Sequence, residues 1–229
     1  MDISKYININ INEMKTTKFR LAGFMAVAMF ASVSLTQCTE SADLEGNQGA
    51  QVKAAEAGSQ EVYLSDEEMD GILFMREEEK LARDVYLYLY EIYPLRPFLN
   101  ISKSEQAHMD AIKYLIDIFG MEDPVGENPE GVFQNEELQE LYDALIERGS
   151  TSREEALRVG ALIEEVDIID LQNQLDSVAQ QEEVIRVYTN LCKASGAHLR
   201  AFTGVLARYG VTYEPVELSQ EEYERILEE

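Results

Sequence analysis

The chain has 229 residues, with 19 Lys and Arg against 44 Asp and Glu, which gives a formal net charge of -25 at pH 7. This balance argues against a nucleic-acid partner, because phosphate binding needs clustered cations. It also disfavours docking of the folded surface on anionic lipid. Apolar residues form 45% of the chain, which is enough for a folded core, and two cysteines are too few for a disulfide scaffold.

The N-terminus, residues 1–37, has the pattern of an export signal. Basic residues between Lys15 and Arg20 precede a short apolar run that ends at Leu35, which predicts a signal peptide and not a membrane span. The run closes on Leu-Thr-Gln-Cys, which resembles the lipobox of bacterial lipoproteins. The resemblance implies that Cys38 is lipidated and that the protein is anchored in the cell envelope. An ordinary cleaved signal peptide, which would give a protein secreted to the periplasm, is the alternative.

Residues 38–63 are rich in Ser, Ala, Gly, Glu and Gln, a composition that is typical of a flexible tether. The remaining residues, 64–229, are expected to form one all-α domain, because helical signals follow one another and no segment alternates with a period of two. Cys192 lies there among apolar residues and is interpreted as a small buried hydrophobe.

The first helix of this domain has clear limits in the sequence. Ser65 and Glu68 have the spacing of a capping box, which predicts the N-terminus of a helix. The helix is predicted to continue to about Tyr93, where Pro94 and Pro97 stop it.

Further helices follow along the chain, and residues 121–134 between them are predicted to be irregular because they contain two prolines and two glycines. The predicted helices run from Ser102 or Ser104 to Gly120, over 135–148, from a cap at Thr151 or Ser152 to about 178, over about 181–209, and from a cap at Ser219. Four long helices with a long connection between the second and third, which carries an extra short helix, predict a four-helix bundle with a crossover.

Acidic side chains interrupt the apolar faces of the first two long helices. On the first helix, one face carries Glu79 and Tyr86, whereas a competing face carries Glu78, and periodicity alone leaves both acids open as the inward one. On the second helix, Glu105 and His108 are three residues apart on an apolar face. Glu-x-x-His lets one helix offer an oxygen and a nitrogen ligand to the same point, although so short a pattern also occurs by chance.

The third and fourth long helices show the same arrangement. Glu164 interrupts an apolar stripe of the third helix, and Asp167 lies one turn further on. Glu165 projects about 100° away from that stripe and is expected to be solvated. On the fourth helix, His198 lies inside an apolar stripe that includes Phe202.

Each of these side chains has an ordinary explanation, since an acid can lie at the rim of a core and a buried histidine is usually hydrogen-bonded. Their coincidence on all the long helices is different, because a buried carboxylate costs several kcal/mol unless it is paired or bound to a metal. The nearby cations Lys80, Arg83 and Lys113 lie off these faces. A pair of metal ions is therefore the simplest way to neutralise the acids together.

The same residues resemble the ligand motifs of ferritins and rubrerythrins. Glu79-Lys-Leu-Ala-Arg-Asp-Val-Tyr86 is similar to their first-helix Glu-x-x-Ala-x-x-x-Tyr, and Glu105-Gln-Ala-His108 is similar to their second-helix Glu-x-x-His. Further matches are Glu164 to the third-helix Glu, Asp167 to an additional acid of rubrerythrins, and Ser195-Gly-Ala-His198 to the place of a fourth-helix Glu-x-x-His. The strings Met75–Tyr86, Gly160–Ile168 and His198–Phe202 are similar, more closely, to a group of ferritin-like proteins, the DUF2202 domain family.

This resemblance implies a centre with two metal ions, iron first and manganese second, held by Glu79, Glu105, His108, Glu164, Asp167 and His198. It implies that Glu105 and Glu164 bridge the metals and that Glu79, His108 and His198 are terminal ligands. Ser195 replaces the fourth-helix Glu, so Asp167 is expected to supply the missing oxygen; an asymmetric site that holds the second metal loosely is the alternative. Tyr86 is expected to hydrogen-bond a ligand, to trap a stray oxidant or to fill the core.

The function that the resemblance implies is an envelope-anchored oxidoreductase that oxidises Fe(II) or reduces oxygen or peroxide. Two alternatives stay open: a protein that binds and buffers iron or manganese, aided by its acidic surface, and a structural bundle with a degenerate site. The expected partners are metal ions and oxygen or peroxide, with membrane contact through the N-terminal lipid alone and a homodimer as the assembly considered.

Overall fold

Six α-helices and no strands make up residues 64–229, the part of the chain that the computed structural model describes. In chain order they are α1 (Asp66–Ile92), α2 (Arg96–Ile118), α3 (Glu136–Gly149), α4 (Arg153–Ser177), α5 (Glu182–Arg208) and α6 (Gln220–Glu228). The prediction of an all-α fold is confirmed for these residues. None of the six helices is long and apolar enough to cross a membrane. The predicted signal peptide, the tether and Cys38 lie outside the described residues.

The N-terminus of α1 has the capping box that the sequence predicts. Ser65 Oγ accepts a hydrogen bond from the N–H of Glu68 at 3.1 Å, and Glu68 Oε2 accepts one from the N–H of Ser65 at 3.2 Å. Glu68 is buried, and its other oxygen accepts hydrogen bonds from the N–H groups of Gln180 and Gln181. The carboxylate of Glu68 thus caps the N-terminus of α1 and also anchors the connection between α4 and α5.

The second helix, α2, begins at Arg96, so the predicted start at Ser102 or Ser104 is wrong. Pro97 lies in the first turn of α2, where a missing N–H costs no helical hydrogen bond. The proline therefore opens this helix, and α1 and α2 are joined by a very short connection. The other predicted starts agree with the structure, in which Asn135, Ser152 and Ser219 are the N-caps of α3, α4 and α6.

The four long helices pack against one another in two main pairs. The most extensive contacts join α1 to α2 and α4 to α5, and further contacts join α2 to α5 and α1 to α4. Two apolar clusters fill the space between them, one containing Tyr86 and Phe202 and the other containing Met75 and Leu191. The short helix α3 packs on α1 and α4, and α6 packs on α5. Each long helix therefore turns one face to a shared interior.

A fully buried ion pair within α1, formed by Lys80 and Asp84, holds the connection between α2 and α3 through hydrogen bonds. Lys80 Nζ also donates to Pro129 O at 2.8 Å, and Asp84 Oδ2 accepts the N–H of Gly131 at 2.9 Å. The ammonium group of Lys80 lies 4.5 Å from the centre of the Phe133 ring. Gly131 has a φ of 74°, which favours glycine at this close approach of the loop to α1.

Glu165 is buried, which corrects the prediction that it is solvated. The Tyr213 hydroxyl donates to its Oε1, and the N–H groups of Val216, Glu217 and Leu218 donate to its carboxylate at 2.8–3.1 Å. These partners lie 48 to 53 residues further along the chain. The segment after α5 therefore returns to α4 and covers a face that α4 alone would leave open to water.

Candidate metal centre

The inward faces of α1, α2, α4 and α5 carry the residues that the sequence predicts as metal ligands. All of them are nearly removed from solvent, with exposures of 1% for Glu79, 1% for Glu105, 6% for His108, 1% for Glu164, 5% for Asp167 and 8% for His198. Tyr86 and Ser195 are fully buried beside them. Four carboxyl groups and two imidazoles thus lie in one interior that is shielded from bulk solvent.

A first group of ligand atoms joins α1 to α2. His108 Nδ1 lies 3.1 Å from Glu79 Oε2 and 2.8 Å from Glu105 Oε2. One atom from each of the three residues lies within 4.8 Å of the other two. The spacing of three residues places Glu105 and His108 on one side of α2, and Glu79 reaches the same point from α1.

A second group joins α2 to α4 and α5. His198 Nδ1 lies 2.9 Å from Glu105 Oε1 and 3.3 Å from Glu164 Oε2, and the three residues again offer atoms within 4.8 Å of one another. The rings of His108 and His198 are 5.4 Å apart and nearly parallel. Glu105 belongs to both groups and turns one oxygen to each histidine, whereas Glu164 belongs to the second group alone.

Asp167 lies beside these two groups and belongs to neither. Its Oδ2 accepts a hydrogen bond from Ser195 Oγ, while its Oδ1 is buried without a hydrogen-bond partner. Ser195 Oγ also lies 3.0 Å from the carbonyl oxygen of Leu191. The helix α5 thus contributes the hydroxyl of Ser195, which positions the Asp167 carboxylate of α4. The resemblance to rubrerythrins would place a carboxylate of α5 at the position of Ser195.

Tyr86 and Ser104, which belong to neither ligand group, form hydrogen bonds with the candidate ligands Glu164 and His198. The Tyr86 hydroxyl donates to Glu164 Oε1 at 2.6 Å, and its ring packs on Phe202 with the ring centres 5.2 Å apart. Tyr86 therefore orients a candidate ligand, Glu164, and also fills the core. Ser104 Oγ lies 3.0 Å from His198 Nε2, which leaves Nδ1 to face the carboxylates. Sequence reasoning missed this role of Ser104, because helix periodicity gives no signal for a contact between α2 and α5.

Both acids that periodicity left open on α1 are buried. Glu79 joins the first group, whereas Glu78 faces Asp170 of α4 and leaves its Oε2 without a partner. Burial and the charge of Asp170 raise the pKa of Glu78 well above its usual range. Asp170, which sequence reasoning did not single out, extends the acidic interior beyond the two groups.

Burial governs the carboxylates of the site. Together with the charge of Asp167, it raises the pKa of Glu79 well above the ordinary value, and with the charge of Glu164 it raises the pKa of Asp167 to about 7. Glu105 behaves oppositely: burial acts to raise its pKa, yet the hydrogen bonds with His108 and His198 lower that pKa to about 2. Glu105, the carboxylate that both groups share, therefore holds its negative charge more firmly than the other carboxyl groups of the site.

The two imidazoles hold protons tightly when no metal competes for them. Burial acts to lower the pKa of His108, but the charge of Glu79 and the hydrogen bond with Glu105 raise it to about 12. For His198 the charge of Glu164 and the hydrogen bond with Glu105 outweigh burial in the same way, and the pKa rises to about 10. Without a metal, the protonated imidazoles of His108 and His198 thus supply the positive charge that balances the buried carboxylates.

The donor set fits a pair of divalent metal ions. Glu79 Oε1 and Asp167 Oδ1 are buried with no hydrogen-bond partner, which leaves acceptor capacity that a cation would use. The first group would hold one ion and the second group the other, with Glu105 in common. Carboxylate and imidazole donors without a thiolate suit iron or manganese.

Binding of Mn(II) should release at least two protons per chain at pH 7, one from each imidazole and a further one from any carboxyl ligand that is still protonated, such as Glu79, because metal ligation requires neutral histidine and ionised carboxyl groups. The pKa values of about 12 and about 10 place both rings in the protonated form at that pH. The apparent affinity for Mn(II) should therefore rise as the pH rises. Calorimetric titration in buffers of different ionisation enthalpy counts the protons. His108→Gln should release one fewer, and binding without proton release would contradict the assignment of both ligands.

Comparison with known proteins places this arrangement in a family. The sequence profile of an uncharacterized protein domain, DUF2202, matches residues 68–229. Uncharacterized protein MJ0754 of Methanocaldococcus jannaschii is 49% identical over 164 residues, which are 72% of this chain and 88% of that protein. The crystal structure of hypothetical protein MJ0754 from Methanococcus jannaschii is similar with a TM-score of 0.71 at 48% identity, over 73% of this chain and 95% of that one. The chain therefore belongs to the DUF2202 family.

Proposed function

We propose that the protein is a ferritin-like four-helix bundle built around a dinuclear metal centre. In this proposal α1, α2, α4 and α5 form the bundle, and α3 lies in the crossover between α2 and α4. Two observations support it: the four helices pack in the pairs that such a bundle requires, and each of them contributes at least one side chain to the two ligand groups. Iron is the metal proposed first and manganese second.

The proposed activity is the oxidation of Fe(II) by dioxygen or peroxide at this centre. The observation that carries it is the sharing of Glu105 by two groups of candidate ligand atoms, because two metal ions bound to these groups would lie side by side. When bound, two Fe(II) ions would supply two electrons, one from each ion, which with two protons reduce dioxygen to hydrogen peroxide or hydrogen peroxide to water. The side chains of the protein hold the ions, keep water out and position the ligands.

Specific side chains perform these positioning tasks. Tyr86 fixes one oxygen of Glu164 by its hydrogen bond and so turns the other toward His198. Ser195 fixes one oxygen of Asp167 in the same way. Asp167 Oδ1 can hold a proton near neutral pH, because burial and the charge of Glu164 raise the pKa of this carboxyl to about 7. A group of that pKa beside the centre suits proton transfer to a reduced oxidant.

The second candidate function is metal capture and buffering without oxidation. It is favoured by the position of Asp167 outside both ligand groups, which leaves three protein ligands for each ion. A weakly held second ion would leave binding without two-metal chemistry. The fate of Fe(II) in air separates the two functions.

Addition of two Fe(II) per chain to the metal-free protein should give oxidation much faster than the protein-free control. Glu164→Ala should abolish this gain, because it removes a ligand of the second group and the partner of Tyr86. Stopped-flow absorbance after mixing with oxygen or peroxide measures the rate. Asp176→Ala, which removes an exposed carboxylate from the same helix, is the matched control and should oxidise Fe(II) normally. Tight Fe(II) binding with no protein-dependent oxidation by either oxidant would identify a buffer.

We propose further that Cys38 carries the lipid that anchors the protein in the cell envelope. The support is the apolar run that ends just before this residue. Mass spectrometry of the mature N-terminus should find a diacylglyceryl cysteine at position 38, and Cys38→Ser should release the protein from the membrane fraction. A free N-terminus at Thr39 or later would contradict lipidation and would indicate an ordinary secreted protein.

A further inference from the structure

A small cavity lies under α3, beside the candidate metal centre. The centre of a water-sized molecule can move within about 20 Å³ of it, which is room for one small molecule. Its walls come from α1, α3 and α4, and seven of its nine lining residues are apolar, including Ala82, Leu141, Leu145 and Val166. A buried water molecule typically makes about three hydrogen bonds. Since only two of the lining residues are polar, the cavity favours an apolar occupant.

The two polar lining residues connect this cavity to the metal centre. They are Glu78, which precedes the ligand Glu79 in α1, and Asp167, which lies beside both ligand groups. Their exposures are 4% and 5%, so both residues that border the cavity on the side of the centre are shielded from bulk solvent.

We infer that this cavity is a binding site for dioxygen, which it holds next to the metal centre; this inference rests on the proposed oxidation of Fe(II). Dioxygen is apolar, so it gains on transfer from water to an apolar cavity. Hydrogen peroxide loses hydrogen bonds to water on the same transfer, and the walls offer it in return at most the two carboxyl groups of Glu78 and Asp167. The cavity therefore favours dioxygen over peroxide as the oxidant, and α3 is the element that closes it.

Xenon tests the cavity without metal or turnover, because apolar cavities of this kind take up xenon. Crystals under xenon pressure, or xenon NMR of the whole metal-free protein, should show one site between α1, α3 and α4. Val166→Leu adds a methylene group to the wall and should abolish that site, whereas Leu141→Ala should raise its occupancy. Val205→Leu makes the same change on α5, away from the cavity, and should leave xenon binding unaltered. An ordered water in place of xenon would overturn the inference.

Oxidation kinetics test the occupant. Val166→Leu should raise the apparent KM for dioxygen by roughly tenfold, the effect expected of one methylene group in an apolar pocket, and should leave oxidation by peroxide unchanged. An equal effect on both oxidants would overturn the assignment to dioxygen. Absence of oxidation by either oxidant in the unmodified protein would overturn the proposed function and the delivery of dioxygen with it, whereas normal oxidation without xenon binding would overturn the cavity site alone.

Discussion

The variants His108→Ala and His198→Ala should each lose the metal ion of one ligand group. The metal content should fall from two ions to about one per chain in either variant. Each group has a single nitrogen donor, and His108 and His198 are those donors. Loss of a direct ligand should weaken the affinity of its group by more than the roughly 10- to 100-fold that is typical of an outer contact. Metal analysis of protein purified without chelators gives the stoichiometry, and circular dichroism checks that the helices remain.

Ser104→Ala provides a graded control for His198→Ala. It leaves both nitrogen donors in place and removes the hydroxyl that lies 3.0 Å from His198 Nε2. We expect it to weaken one ion by about 10- to 100-fold without lowering the content at saturating metal. If either alanine variant of the histidines binds the same amount of metal as the unmodified protein, that histidine is a core residue and the dinuclear assignment fails there.

Asp84→Asn should lower the free energy of unfolding by about 3–5 kcal/mol, because it leaves a buried ammonium group without its counter-ion. Lys80 and Asp84 are both fully buried, and the only other hydrogen bond of Lys80 Nζ in the described residues goes to Pro129 O. The amide is nearly isosteric with the carboxyl, and its oxygen can still accept the N–H of Gly131. Its NH2 group would then face the guanidinium of Arg83, which donates to Asp84 Oδ1 in the unmodified protein, and this adds to the loss. Urea unfolding monitored by circular dichroism gives the free energy.

The chain offers a matched pair for this test. Lys113 and Asp117 form an ion pair with the same spacing, but their side chains are 44% and 61% exposed. Asp117→Asn should therefore cost less than about 1 kcal/mol. A second replacement, Lys80→Met in the Asp84→Asn background, should recover much of the lost stability because it removes the unpaired charge. Equal effects at the buried and the exposed pair would show that Lys80 does not carry a charge in the interior.

Capping residues in the sequence predicted the N-termini of α1, α3, α4 and α6 well. Ser65, Asn135, Ser152 and Ser219 cap helices through hydrogen bonds to N–H groups two or three residues away, so a short window of sequence contains the whole interaction. Pro97 shows the limit of such signals. A proline ends one helix or opens the next with the same chemistry, and the choice depends on how α1 and α2 pack.

The candidate site divides in the same way. Glu105, His108, Glu164 and His198 each lie on an apolar stripe of a single helix, and the structure brings these four into the two ligand groups with Glu79. Stripes could not choose between Glu78 and Glu79, because α1 is packed against α2, α3 and α4 and buries both. The burial of Lys80 and Glu165 was equally beyond them, since loops distant in sequence cover these side chains.

The return of the C-terminal segment to Glu165 bears on how far this protein can be shortened. After the last long helix the chain looks like an appendage that a minimal version could omit. Three backbone N–H groups and one phenol of that segment satisfy a carboxylate in the middle of α4, so its deletion would strip a buried anion of four donors. The family match likewise extends to residue 229. A shortened protein that keeps only the four long helices should therefore be less stable than the six-helix domain, because α4 depends on the segment after α5 for the hydrogen bonds of Glu165.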